Sequence, residues 1–169
     1  MVSRKIALIG DFSTGKTSLI RRFVDNEFSD KYLSTIGVKI SKKIIELDDI
    51  DVQGLIWDIE GGTPTKPLNQ TYLRGLHGCI IASDITRIET INSLENYINI
   101  IKSISEDVPY IVVLNKYDKI DEEKAQKIYK ELLEHLKLDD NMLYCTSAKS
   151  GLNVENVFNS LAKSMVQRV

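Results

Sequence analysis

Short, continuously apolar runs alternate with amphipathic stretches along this chain, and that alternation sets the elements to expect. Lys5–Gly10 (KIALIG) is apolar at consecutive positions and ends on glycine, the pattern of a strand buried on both faces. Lys16–Phe23 lacks Gly and Pro and pairs Leu19 with Phe23, and Ile20 with Val24, at helical spacing. Val38–Leu47 and Asp51–Asp58 are rich in β-formers, and Asp48-Asp49-Ile50 between them predicts a hairpin. Beyond a Gly/Pro-rich stretch, Gly61-Gly62-Thr63-Pro64, a further buried strand is expected at Cys79–Ala82. Ile88, Ile91, Leu94, Ile98 and Ile101 step by threes and fours, marking one face of a helix. Tyr110–Leu114 repeats the buried-strand pattern. Asp121 is placed to cap a helix whose apolar face carries Ala125, Ile128, Leu132 and Leu136. Met142–Cys145 reads as the last strand, and Asn153 as the cap of a final helix bearing Val154, Val157, Leu161 and Met165. Such alternation predicts an α/β fold: a mostly parallel six-stranded sheet with one antiparallel hairpin strand and helices on both faces. Ligands then gather at the carboxyl ends of the strands.

Composition narrows the possibilities. The 169 residues fit one domain, 1–169, and no internal repeat or linker divides them. Lys+Arg number 22 against 24 Asp+Glu, a net charge of −2, without the basic surplus of a nucleic-acid module. A 43% hydrophobic and 27% charged chain is globular, not disordered. No apolar run reaches the roughly 18 residues that span a bilayer, and the N-terminus carries no signal-peptide pattern. Cys79 and Cys145 form neither a metal pattern nor a disulfide framework, so a reducing, cytoplasmic compartment is expected.

The chemistry lies in four motifs. Gly10-Asp11-Phe12-Ser13-Thr14-Gly15-Lys16-Thr17, followed by Ser18, matches the phosphate-binding loop G-x-x-x-x-G-K-[ST] between an expected strand and an expected helix. Glycines let backbone N–H groups wrap a phosphate, and the helix start adds its positive dipole. Lys16 supplies a charge to the β and γ phosphates, and the Thr17 hydroxyl binds Mg²⁺. Asp58, ending a strand in Trp57-Asp58-Ile59-Glu60-Gly61, suits an indirect Mg²⁺ partner. In Asn115-Lys116-Tyr117-Asp118 a buried Asp118 carboxylate can accept from the N1–H and 2-amino groups of guanine, a donor pair adenine lacks. Thr146-Ser147-Ala148-Lys149 can offer a backbone N–H to the guanine O6. Taken alone, each of the last three motifs reads equally as an ordinary polar turn or, for Asp58 and Thr146–Lys149, more readily so.

Together and in this order they resemble a Ras-superfamily small GTPase, most closely its Rab branch, across essentially the whole chain. Tyr32–Val38 resembles the first switch segment and Tyr72–Gly78 the end of the second. By that resemblance Thr35 reaches Mg²⁺ when a γ-phosphate is present, Phe28 packs edge-on against guanine, and Gly61 bonds the γ-phosphate through its backbone. The resemblance implies GTP, GDP and Mg²⁺ as ligands. It also implies protein effectors and regulators engaged through residues 28–40 and 60–76, and a monomer. Ile40, Trp57 and Tyr72 are either an effector-reading patch or core, with equal weight.

Several positions depart from the pattern. Gly62 stands where the family's water-orienting glutamine is expected, leaving the catalytic residue unknown; a glutamine restored there is expected to raise unaided turnover. Phe12 replaces a small residue and stands to obstruct an inserted arginine. Glu60 replaces alanine, and its carboxylate is expected near the γ-phosphate. The chain ends Met165-Val166-Gln167-Arg168-Val169, without the cysteines that accept prenyl groups, so no lipid anchor is expected and membrane association is left open. The leading expectation is a GTP/GDP switch with slow intrinsic hydrolysis. The alternatives are a pseudo-GTPase holding nucleotide structurally and, against Asn115–Asp118, a P-loop kinase or adenine-nucleotide hydrolase.

Overall fold

The computed structural model describes residues 1–167. Its six strands are β1 (Val2–Gly10), β2 (Val38–Ile45), β3 (Val52–Ile59), β4 (Gly78–Asp84), β5 (Tyr110–Asn115) and β6 (Leu143–Cys145). They form one sheet in the order β2-β3-β1-β4-β5-β6. Only the β2–β3 hairpin is antiparallel, as expected from the two β-rich runs and their polar turn. β1 begins earlier than its apolar run, because Val2, Ser3 and Arg4 pair with Val52, Gln53 and Gly54 of β3.

Five α-helices cover the sheet: α1 (Lys16–Asp25), α2 (Ile88–Asn92), α3 (Leu94–Ile104), α4 (Glu122–Leu136) and α5 (Val154–Gln167). Alternate residues of β1 face opposite layers. Ile6 and Leu8 pack with Leu19, Ile20, Phe158 and Leu161 under α1 and α5. Ala7 and Ile9 pack with Tyr97, Ile98, Ile101 and Leu132 under α3 and α4. Phe23 stacks flat on Phe158 with ring centroids 4.0 Å apart, joining α1 to α5.

The single helix face expected from Ile88 to Ile101 is interrupted at Ser93. Ser93 Oγ lies 3.0 Å from the Glu89 carbonyl and 2.7 Å from Asp11 Oδ2, so where the two helices part it serves a distant loop. Asp121 caps α4 as expected, accepting from the Glu123 N–H at 3.4 Å. Asn153 does precede α5, but in a left-handed conformation (φ 57°), and its amide donates to the Cys145 carbonyl. Of the C-terminal residues behind the lipid-anchor expectation, Met165 to Gln167 belong to α5, while Arg168 and Val169 lie outside the described residues. No helix among the described residues is long and apolar enough to cross a membrane.

Because β1, β3, β4, β5 and β6 run parallel, their carboxyl ends share one edge. The chain leaves β1 in one direction for β3 and returns in the other for β4, which opens a crevice there.

Candidate functional site

The loop from β1 to α1 is held in a conformation few sequences tolerate. Gly15 has φ 92°, and a Cβ there would run into the Asn115 side-chain amide. Ser13 is also left-handed, with φ 63°. Lys16 is buried, and its Nζ lies 3.0 Å from the Asp11 carbonyl and 3.4 Å from that of Gly10. Burial lowers its pKa to about 8, against the opposing pull of Asp58 and Asp11. A buried ammonium with mainly carbonyl partners is a strong attractor of anions.

At the second residue of α1, the Thr17 hydroxyl donates to Asp58 Oδ2 at 2.6 Å. The Thr35 hydroxyl, brought in from the loop before β2, lies 2.7 Å from Thr17 Oγ1 and 3.2 Å from Asp58 Oδ2. Asp58 Oδ1 is buried and has no hydrogen-bond partner among the described residues. Burial raises the Asp58 pKa, against the bonds from Thr17 and Thr35 and the charge of Lys16. An orphaned carboxylate oxygen beside two hydroxyls fits a hydrated Mg²⁺, which takes few protein ligands and keeps its waters. Among the described residues no cluster of three His, Cys, Asp or Glu side chains offers a closed metal cage instead.

The far end of the same cleft is lined by Phe28, Asn115, Lys116, Asp118, Ala148 and Lys149, while Ser13, Gly15, Lys16, Thr17, Ser18, Thr35, Asp58 and Gly61 line the near end. Asn115 ties the two ends together: its amide donates to the Thr14 carbonyl at 3.0 Å and its oxygen accepts from Thr146 Oγ1 at 3.1 Å. Asp118 is exposed at the lip of the cleft, not buried as expected, because it sits in a one-turn 3₁₀ segment beyond β5. Ser147 donates to Asp118 Oδ1 at 2.7 Å and fixes it there. Thr14 and Ser147 are fully buried, so their side chains brace the wall from behind. The Ser147 N–H is taken by the Leu152 carbonyl at 3.2 Å, which leaves the Ala148 N–H for a ligand.

Two further braces were missed from sequence. Asp84 pairs with Lys116 Nζ at 3.0 Å; burial opposes its ionisation, but bonds from Thr86 and Lys116 prevail and hold its pKa below the usual carboxylate value. Arg22 donates to the carbonyls of Ala148 and Lys149 at 2.8 and 2.7 Å. Asp84 carried an available signal, a carboxylate ending a buried strand just as Asp58 does.

The family model for the Ras family matches residues 5–167. The chain belongs to the Ras family. It is 34% identical to the Ras-related protein Rab-1 of Theileria annulata over 168 residues, 98% of this chain and 75% of that one. Identity to Rab-8A of Bos taurus is 36% over 163 residues, 95% and 77% of the two chains. Identity to Rab-1C of Dictyostelium discoideum is 36% over 164 residues, 95% and 80%. Ras-family proteins are GTPases that use GTP, GDP and Mg²⁺ and act through effectors and regulators.

In this Ras-family GTPase the departures from the family pattern have structural consequences. Gly62 is buried and bonded into the phosphate loop, donating to the Gly10 carbonyl (3.1 Å) and accepting from the Phe12 N–H (2.9 Å). A Cβ at Gly62 would stand 2.5 Å from Tyr97 Oη. Any side chain restored here therefore has to displace the Tyr97 hydroxyl first. Tyr97 is itself held by Asp11, whose Oδ1 accepts its hydroxyl at 2.8 Å. Burial, then Asp11, raises the Tyr97 pKa.

Glu60 also differs from expectation. Its carboxylate turns away from the phosphate loop, accepting from the Gly37 N–H at 3.1 Å and from Lys66 Nζ at 3.0 Å. Those donors lower its pKa, the Gly37 bond most. Phe12 is 42% exposed, and its ring centroid lies 5.7 Å from that of Tyr32, so the pair lines the cleft together. Ile40 is exposed next to Trp57 across the β2–β3 ladder, while Trp57 and Tyr72 are half-buried. The Trp57 ring is covered by Lys5 Nζ, 3.6 Å from its centroid, which leaves Ile40 as the openly exposed member of the three.

Proposed function

We propose that this Rab-like chain is a single G domain acting as a monomeric GTP/GDP switch, with slow unaided hydrolysis and effectors and regulators engaged through residues 28–40 and 60–76. The observation that carries the reading is Thr35, 2.7 Å from Thr17 and 3.2 Å from Asp58, whose second oxygen is orphaned. Thr17, Thr35 and Asp58 would hold Mg²⁺, which neutralises charge on the β and γ phosphates. Lys16 binds the phosphates from the loop side. Asp118, oriented by Ser147, selects guanine, and the Ala148 N–H serves O6. Losing the γ-phosphate leaves Thr35 held by Thr17 and Asp58 alone, and residues 29–40 loosen.

Slow hydrolysis is supported by glycine at 62, which brings no side chain to orient water. Ras itself turns over at about 4 × 10⁻⁴ s⁻¹ unaided, and this chain is expected at or below that order. A single-turnover rate near 10⁻² s⁻¹, the order reached with an arginine in cis, would refute it. Calorimetry tests the guanine assignment. GDP and GTP should bind with Mg²⁺ dependence and ATP should not compete, while Asp118→Asn should move preference toward xanthine nucleotides. Equal affinity for ATP and GTP refutes the assignment. The bonding of Gly62 into the loop favours a second reading, a static nucleotide-holding module; equal hydrogen exchange of residues 29–40 with GDP and a GTP analogue would select it.

A further inference from the structure

Arg87 lies in the turn between β4 and α2, outside all four sequence motifs. Its backbone is pinned on both sides: its N–H donates to the Asp84 carbonyl at 3.0 Å, and its carbonyl accepts from Thr90 Oγ1 at 2.8 Å. Glu89 holds its Nε at 3.1 Å. From that anchored position Nη1 donates to the carbonyls of both Phe12 and Ser13, each at 3.2 Å. Lys116 Nζ reaches the same Ser13 carbonyl at 3.0 Å, and Asn115 holds the next one, Thr14, also at 3.0 Å. Three successive carbonyls of the phosphate loop are thus gripped from outside.

A trans peptide is planar, with its C=O and N–H pointing in opposite directions. Gripping the Phe12 and Ser13 carbonyls on the outside therefore aims the N–H groups of Ser13 and Thr14 inward. Ser13 needs such support, since a non-glycine residue with φ 63° is intrinsically disfavoured. Arg87 suits the task better than a lysine, because a planar guanidinium spans two acceptors at fixed geometry.

We propose that Arg87 is a positioning residue for the phosphate loop, holding the Phe12 and Ser13 carbonyls outward so that the following N–H groups face the β-phosphate of a bound nucleotide. The inference rests on the nucleotide-binding reading above. Arg87 touches no nucleotide; its effect passes through the backbone of residues 12–14. It should then matter in proportion to the phosphates that the ligand presents to the loop.

The test compares GDP with GMP, which lacks the β-phosphate, on the full chain with Mg²⁺. Arg87→Gln should weaken GDP about tenfold, the effect of a charge-assisted hydrogen bond, and leave GMP within about twofold. The ³¹P resonance of the GDP β-phosphate should shift, and that of the α-phosphate should shift less. Arg87→Lys keeps the charge and one acceptor, giving an intermediate GDP loss and keeping the test available if the glutamine variant does not fold. Equal weakening of GDP and GMP, or no change in either, overturns the assignment of Arg87 while leaving the nucleotide reading intact. Wild-type protein that binds neither GDP nor GMP overturns both.

Discussion

Replacing Gly62 with alanine probes the close approach of the second switch segment to Tyr97 of α3. The new Cβ would stand 2.5 Å from Tyr97 Oη, where ordinary contact begins at 3.4 Å, so the hydroxyl has to retreat by about 0.9 Å. That retreat breaks its 2.8 Å hydrogen bond to Asp11, a bond to a charged acceptor worth about 1.5–3 kcal/mol. Alanine restricts the unfolded chain and returns about 0.4–1 kcal/mol. The net expectation is a loss of about 1–2 kcal/mol. In a Tyr97→Phe background the obstructing oxygen is gone. The nearest remaining atoms, Leu68 N at 3.5 Å and the ring Cζ at 3.7 Å, are ordinary neighbours, so the same alanine should be neutral or slightly stabilising. Urea unfolding of the four proteins of the cycle, at one fixed concentration of GDP and Mg²⁺, reads the coupling directly. Equal costs for Gly62→Ala in both backgrounds would refute the Tyr97 contact as the reason for glycine at this position.

Two other expectations follow from the site. Lys16 has a folded pKa of about 8 against 10.5 unfolded, so the unfolded chain binds more protons between these values. The Lys16 penalty is full below pH 8 and is relieved as pH rises toward 10.5. Urea midpoints of nucleotide-free protein at pH 7.5 and 10 should show that gain, and Lys16→Met should lack it. Glu60→Ala removes the acceptor for the Gly37 N–H, so amide exchange at Gly37 should accelerate with either nucleotide bound while single-turnover GTP cleavage keeps its order of magnitude. A large rise in cleavage would return the Glu60 carboxylate to the phosphates.

What the sequence made legible was local. The apolar run ending at Gly10, the G-x-x-x-x-G-K-T spacing and the Asp121 cap each depend on neighbours a few residues away, and each element formed where its pattern stood. The break at Ser93 was not legible, since its partner Asp11 is far away along the chain and only folding brings them together. The direction of Glu60 depended on Gly37 and Lys66, and the reason for Gly62 depended on Tyr97. Motif spacing named the residues at the strand ends; it carried no information on which would line the cleft and which, like Thr14 and Ser147, would brace it.

The two margins of the sheet differ in what they offer an incoming strand. β6, at one margin, offers only three residues to an incoming strand. β2, at the other, is eight residues long with unpaired backbone groups along its outer side, the kind of template on which chains aggregate. It carries Lys39, Lys42 and Lys43, and two copies pairing edge to edge would crowd both sets of ammonium groups together. An apolar substitution at these lysines is expected to leave the folded molecule largely intact and its concentrated solution less so, which light scattering against concentration would read.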